Sequence, residues 1–375
     1  MAADLICEGR AVTGALFEPL TIGGIEIRNR LAVAPMTRIS ATETGRATRR
    51  MGDYYGAFAE GGFGLVITEG VYTDRLWSQG YLRKPGLSDD AQRDAWRPIV
   101  ERVHAGGARF IAQLMHAGAL SQGNRFRVGT RGPSSVRPVG RQMEFYRGTG
   151  EYPLPSEMSE AEIGGAVAGF ASAAVRAREV GFDGVEIHGA NGYLLDQFLT
   201  EGVNRRTDAY GGSTANRLRL TLDVAEAVRS AVGRDFIVGL RSSQGKVNDF
   251  TCRWRGQEEA VKIYTLLGRQ HLDYLHTTEH EAWRPAFDGG PSLAALARRH
   301  GGLPVLANGS LHDPARAVEL LSEHRADVIT LGRGALTHAD WPRRVAEGDK
   351  LAEFDRRILS PLADLENADR IQAGD

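Results

Sequence analysis

Residues 159–188, SEAEIGGAVAGFASAAVRAREVGFDGVEIH, join a helical pattern over Ser159–Val180 to a short apolar run, Gly184–His188. A run this brief and this rich in Val and Ile suits a strand buried in a parallel sheet. The same unit recurs in both directions. Strands are predicted at Leu31–Pro35, Gly64–Glu69, Arg109–Leu114, Gly184–His188, Phe236–Arg241, Leu272–His276, Pro304–Ala307 and Asp327–Leu331. Helical patterns fill most of the intervals, at Arg49–Glu60, Asp89–Ala105, Ser159–Val180, Thr214–Val232, Gln257–Arg269, Ser292–His300 and Pro314–Glu323. An open doubly wound sheet would alternate in the same way. Eight such units in 375 residues favour closure into an α/β (β/α)8 TIM barrel.

Two segments depart from the rhythm. Leu16–Arg30, with Gly23-Gly24 at its centre, is expected to form a hairpin ahead of the first barrel strand. Ala117–Glu157 is a long insertion after strand three, rich in Gly, Pro and Arg. Loops in that position carry the active site of a barrel, so the insertion is expected to form part of a wall or a lid. There is no internal repeat and no composition shift typical of a linker. Residues 1–375 are therefore read as one domain.

Composition narrows the function. Hydrophobic residues make up 42% and charged residues 25% of the chain, and the formal net charge is -1. This suits a globular protein with a large core and supplies no face for nucleic acid. The two cysteines, Cys7 and Cys252, are too few for a cysteine-ligated iron–sulfur cluster, and a reduced cytoplasmic setting is expected. Met1–Gly14 lacks the pattern of a secretory leader, and no stretch has the roughly 20 apolar residues of a membrane span.

Functional side chains in a barrel gather just beyond the C-terminal ends of its strands. Here those ends read Ala34-Pro35-Met36-Thr37, Glu69-Gly70, Gln113, His188 through Tyr193, Arg241, Asn308-Gly309-Ser310 and Gly332-Arg333. There is no carboxylate pair placed for hydrolysis, no Ser/His/Asp order and no HExxH motif. His276, His280, His300 and His312 have no metal-ligand spacing, and no metal is expected. Amides, small residues and two arginines suit a flat polar ring and a phosphate. Barrels often hold phosphate between the loops after strands seven and eight, which here are Asn308-Gly309-Ser310 and Gly332-Arg333-Gly334. The Gly332–Thr337 segment lacks the third small residue of a dinucleotide fingerprint.

These motifs carry a specific resemblance. Ala-Pro-Met-Thr-Arg at 34–38, Ile-Thr-Glu-Gly at 67–70, Gln113-Leu114 and the stretch from Val185 to Leu199 follow one another as in the Old Yellow Enzyme family. The pattern continues through Asn204, Arg206, Asp208, Tyr210-Gly211-Gly212 and Asn216-Arg217, and the likeness runs from about Leu16 to about Val345. It implies an ene-reductase with non-covalent FMN, reduced by NADPH or NADH. Pro35, Thr37 and Gly70 would lie against the flavin, with Gln113 and Arg241 at its pyrimidine end; Asn308, Gly309, Gly332 and Arg333 belong to its binding site, the last three at the phosphate. His188 and Asn191 would bind the oxygen of an enone or nitroalkene, and Tyr193 would protonate the substrate. Arg205, Arg206, Asp208, Tyr210, Asn216 and Arg217 read as a polar network fixing the loop and helix after strand four.

Three positions depart from the pattern. Met115 stands where many family members carry tryptophan and is expected to widen the pocket or turn the substrate. The segments Glu279–Trp283 and Thr337–Pro342 are also unusual for the family. A flavin-binding storage or sensor protein without turnover is the alternative reading; His188, Asn191 and Tyr193 argue against it. A monomer or homodimer acting on a small electrophile is expected.

Overall fold

The structure is a computed structural model that describes residues 13–374; Cys7 and the start of the chain lie outside the described residues. All eight predicted strands form. They are β1 (Leu31–Val33), β2 (Leu65–Ile67), β3 (Arg109–Met115), β4 (Gly184–Asn191), β5 (Ile237–Lys246), β6 (Tyr274–Thr278), β7 (Val305–Asn308) and β8 (Val328–Leu331). Each pairs in parallel with the next, and β8 pairs with β1 through Thr330↔Ala32, which closes the barrel. The helices between them are α1 (Arg49–Glu60), α2 (Asp90–Ala105), α3 (Glu160–Val180), α4 (Thr214–Val232), α5 (Gln257–Leu267), α6 (Leu293–Gly301) and α7 (Pro314–Ser322). After β8 come two shorter helices, Arg333–Thr337 and Trp341–Glu347.

The boundaries differ from expectation for local reasons. β1 stops at Val33, so Pro35 lies in the loop above it, where its missing N–H costs no ladder bond. Asp89, Ser159 and Ser292, read as first helical residues, are instead caps: each side chain accepts a backbone N–H from the first turn of its helix. β4 and β5 extend further than predicted. They pair from Gly184↔Ile237 up to Asn191↔Lys246, with a register irregularity between Ser242 and Lys246. This tall pair raises Asn191 above the barrel mouth.

The N-terminal end of the barrel is plugged. Strands Leu20–Ile22 and Ile25–Ile27 form the expected hairpin, and Gly23 and Gly24 make its turn at φ of 57° and 80°. Positive φ at both turn positions is the geometry that glycine adopts without steric cost. Ile22 and Ile27 pack with Leu65, Ile67, Ile111 and Ile237 inside the barrel. A second, larger apolar layer lies between strands and helices.

The insertion is anchored where Arg131–Gly132 pairs with Ser156–Glu157. The expected polar network also forms. Asp208 pairs with Arg206, and Glu259 with Arg217. Tyr210 donates to Asp223 Oδ2 at 3.1 Å. Arg205 and Asn216 take part through their backbone N–H groups, which donate to Ser134 and Ser213.

Ile27→Ala should reveal the energetic weight of the plug. Deleting a fully buried isoleucine side chain leaves a cavity in a closed layer and should cost about 2–5 kcal/mol. Chemical denaturation of the variant against the parent measures it; a loss under about 0.5 kcal/mol would mean that the hairpin is loosely packed.

Candidate active site

Two cavities meet at the C-terminal end of the barrel. One, of about 440 Å³, is lined by Pro35, Thr37, Gly70, Gln113, Met115, His188, Asn191, Tyr193 and Arg241, and reaches Gly332 and Arg333. The other, of about 300 Å³, is lined by Asn308, Gly309 and Ser310 and shares Gly332 and Arg333 with the first. Every candidate residue read from the sequence therefore lies in one of two adjoining spaces. The larger is ring-sized and partly apolar; the smaller is framed by backbone and Arg333.

Glycine is required where backbone must come close. A Cβ on Gly70 would stand 2.7 Å from Met115 Sδ and 3.2 Å from Gln113 Oε1. Gly309, at φ 145°, would drive a Cβ to 2.4 Å from the Glu279 carbonyl. Met115 is buried and its thioether packs toward Gly70.

Beneath the larger cavity lies a network that the sequence reading missed. Glu186 is fully buried inside the barrel. Its Oε1 accepts from Gln113 Nε2 at 2.7 Å, and its Oε2 accepts from Tyr274 at 3.0 Å and faces His276 Nδ1 at 2.8 Å. Burial alone would raise the Glu186 carboxyl, but the charge and hydrogen bond of His276, with Arg241 and Gln113 behind them, hold it below the usual carboxylate range. Gln113 spends one of its two amide N–H groups on Glu186, which fixes the side chain and leaves Oε1 and the second N–H for the cavity that Gln113 lines. Arg241 donates to Asn308 Oδ1 at 3.0 Å while its buried Nε has no partner among the described residues. A signal for this network was present. Glu186 stands between Val185 and Ile187, and His276 directly follows Tyr274-Leu275, and a polar group buried in such a run demands partners.

The turn after β4 sets the remaining side chains. Asn191 adopts φ 62°, a left-handed conformation, and Gly192 follows at φ 85°. The Gly192 N–H donates to Asp196 Oδ2 at 2.7 Å, and Asp196 Oδ1 pairs with buried Lys246 at 2.6 Å. So braced, the turn places the Tyr193 ring 5.0 Å from that of His188. The Tyr193 hydroxyl lies 2.6 Å from that of Tyr81. Burial pushes the Tyr193 phenol well up, so it keeps its proton. Burial, helped by the charges of Arg241, Lys84 and His276, pushes His188 well below its ordinary value. Its Nδ1 is buried and has no hydrogen-bond partner among the described residues.

The insertion forms a wall. Met143, Phe145 and Tyr146 line the larger cavity, joined by Val247 and Phe250 from the loop after β5. Loops without periodicity give no sequence cue to such contacts.

Residues 15–352 match the model of the NADH:flavin oxidoreductase / NADH oxidase family. The chain is 33% identical over 350 residues to 12-oxophytodienoate reductase 2 of Arabidopsis thaliana, covering 91% of each protein. It is 32% identical over 347 residues to the NADH oxidase of Thermoanaerobacter brockii, covering 89% of this chain and 51% of that protein, so it spans about half the length of that relative. The solved structure of the Old Yellow Enzyme homologue from Zymomonas mobilis superposes with a TM-score of 0.85 at 30% identity, covering 95% of this chain and 99% of that one.

The neutral state of His188 sets a pH dependence. The unfolded chain binds a proton at this histidine below about pH 6.5, whereas the folded protein resists it. More protons bound in the unfolded state means that stability falls as pH is lowered through about 6.5. One such group gives a slope of up to about 1.4 kcal/mol per pH unit. Urea unfolding of His188→Asn between about pH 7 and 5 should show a shallower loss than the parent; equal slopes would mean that His188 takes up its proton in the folded state.

Proposed function

Because the chain belongs to the NADH:flavin oxidoreductase / NADH oxidase family, which includes the Old Yellow Enzymes, we propose that this FMN-dependent oxidoreductase is an ene-reductase for α,β-unsaturated carbonyl and nitro compounds. A nicotinamide nucleotide is its reductant. The residues present fit the cofactor. Gly70 lines the cavity where a Cβ would crowd Met115 and Gln113, Gln113 offers amide groups, and Arg241 has a buried Nε without a partner among the described residues. Pro35, Thr37, Gly70, Gln113 and Arg241 would hold the ring, and Asn308, Gly309, Gly332 and Arg333 the phosphate end. When bound, FMN supplies the hydride that reaches the β-carbon of the substrate. The proposal takes residues 1–375 as one FMN-binding barrel domain, cytoplasmic, and a monomer or homodimer.

The observation that carries the reading is the grouping of His188, Asn191 and Tyr193 on one wall of the ring-sized cavity. His188, neutral and with Nδ1 unpaired, and Asn191, whose side chain faces the same space, hold the substrate's carbonyl or nitro oxygen. Two hydrogen bonds on that oxygen stabilise the charge that gathers there as the double bond is reduced. Tyr193, kept protonated by burial, gives its proton to the α-carbon, and Tyr81 stands behind it to share the next proton. A storage or sensor protein has no use for a proton donor in this place.

Arg333 is an exposed cation at the junction of the two cavities, held by a 2.8 Å bond to Ser310 Oγ. Arg333→Ala should weaken FMN binding, read as flavin lost during gel filtration or as a raised Kd by fluorescence. Unchanged retention would place the phosphate elsewhere.

Tyr193→Phe separates proton donation from binding. Removing one hydroxyl leaves the ring, and FMN content and reduction by NAD(P)H should stay close to the parent. Enone turnover should fall by about 10²–10⁴, the usual contribution of a placed general acid. A nitroalkene yields a stabilised anion that is protonated after release, so its turnover should hold. Equal losses with both substrates would make Tyr193 a positioning group, and normal enone turnover would move the proton source elsewhere.

A further inference from the structure

Lys84 is completely buried in the loop that follows Tyr81, and no step described so far uses it. Its Nζ donates to Thr37 Oγ1 at 3.3 Å and stands 5.0 Å from the centre of the Tyr81 ring. Glu69, a carboxyl that burial pushes up and Lys84 pulls down, is its electrostatic partner. One Glu69 oxygen accepts from the Arg38 N–H at 3.1 Å; the other is buried without a hydrogen-bond partner. Burial lowers the ammonium to about 8 against the pull of Glu69, so it remains charged at neutral pH. Thr37 is a cavity-lining residue, whereas Lys84 stands behind it, outside the lining. Lys84 is thus the member that meets a lining hydroxyl, whereas Glu69 meets the backbone N–H of Arg38, itself a lining residue.

Hydrogen-bond bookkeeping fixes what this contact does. An ammonium has donors and no acceptor, so Thr37 Oγ1 must accept from it. The hydroxyl proton of Thr37 is then left to donate on the cavity side, where the Tyr146 phenol lies near it and where a bound ring would offer the stronger acceptor. A hydroxyl that accepts from a cation in a dry setting is a stronger donor than an isolated one. A loop lysine in a polar stretch carries no such signal in the sequence, which is why it escaped the reading of the motifs.

We propose that Lys84 is a positioning residue that acts through Thr37: it turns and polarises the Thr37 hydroxyl as a donor to the edge of bound FMN and so raises the midpoint potential of the cofactor. The inference rests on the reading that FMN occupies the larger cavity with Thr37 against it. Lys84 touches neither substrate nor cofactor in this scheme. It selects which way a neighbouring proton points and polarises the hydroxyl that carries it.

The test compares FMN-loaded Lys84→Met and Lys84→Gln with the parent, measuring midpoint potential against a reference dye. Met removes both donor and charge, and Gln keeps a donor. Both should lower the potential, Met by about tenfold in the ratio of oxidised to reduced cofactor, equivalent to about 30 mV for a two-electron couple, and Gln by less. In a Thr37→Val background the same Lys84→Gln change should have little effect, because the relay has already been cut. An unchanged potential in Lys84→Met overturns the proposal, as does a Lys84→Gln shift that is the same with and without the Thr37 hydroxyl. If Lys84→Met does not fold, the Lys84→Gln comparison in the two backgrounds decides alone. A parent protein that binds no FMN would refute the proposed function instead, and the two failures are therefore distinct.

Discussion

A carboxylate sealed inside a barrel has no water to turn to, and that constraint organises the site. Glu186 points into the interior with no exposed surface, so each of its oxygens must find a donor among the strands around it. Gln113 from β3, Tyr274 and His276 from β6 answer it directly, and Thr330 from β8 stands 3.0 Å from the other His276 nitrogen. Four strands are thereby tied to one another across the lumen by polar contacts. Side chains that would otherwise sample several rotamers are each left with one satisfied arrangement. The cavity floor is thus stiff before any ligand arrives, which is the condition for preorganised binding.

The architecture was largely legible from the chain because its signals are periodic. Short Val- and Ile-rich runs alternating with helical patterns gave all eight strands, and the positions just past their ends contained every candidate residue that the two cavities bring together. What escaped was set by partners distant in sequence. Glu186 was read as part of a motif, and only the closed barrel reveals that it faces His276, ninety residues away. For the same reason the sequence shows only that His276 has no metal-ligand spacing, and nothing of its partner. Tyr81 and Lys84 sit in an irregular loop, where no period marks which side chains turn inward. Met143, Phe145 and Tyr146 belong to an insertion whose path over the mouth follows from tertiary packing alone.

The two halves of the site are built differently. Around the ring-sized cavity, burial does most of the work: it keeps Tyr193 protonated and His188 neutral, and it makes each unpaired donor expensive until a ligand accepts from it. Around the smaller cavity, backbone and an exposed arginine dominate, and the demand falls on glycine at 309. One end is therefore tuned through solvent exclusion, the other through close approach.

The hairpin that stoppers the N-terminal end has a kinetic corollary. With Ile22 and Ile27 filling that opening, the barrel has one mouth, and the wall of the insertion narrows it further. Under the proposed function, a nucleotide that delivers electrons and a substrate that collects them would both come through that mouth to one bound ring. Traffic of this kind is exclusive: whichever molecule is seated bars the other. On that reading the shape of the vessel would impose alternation on its visitors, and a large excess of either reactant would become an obstacle to turnover.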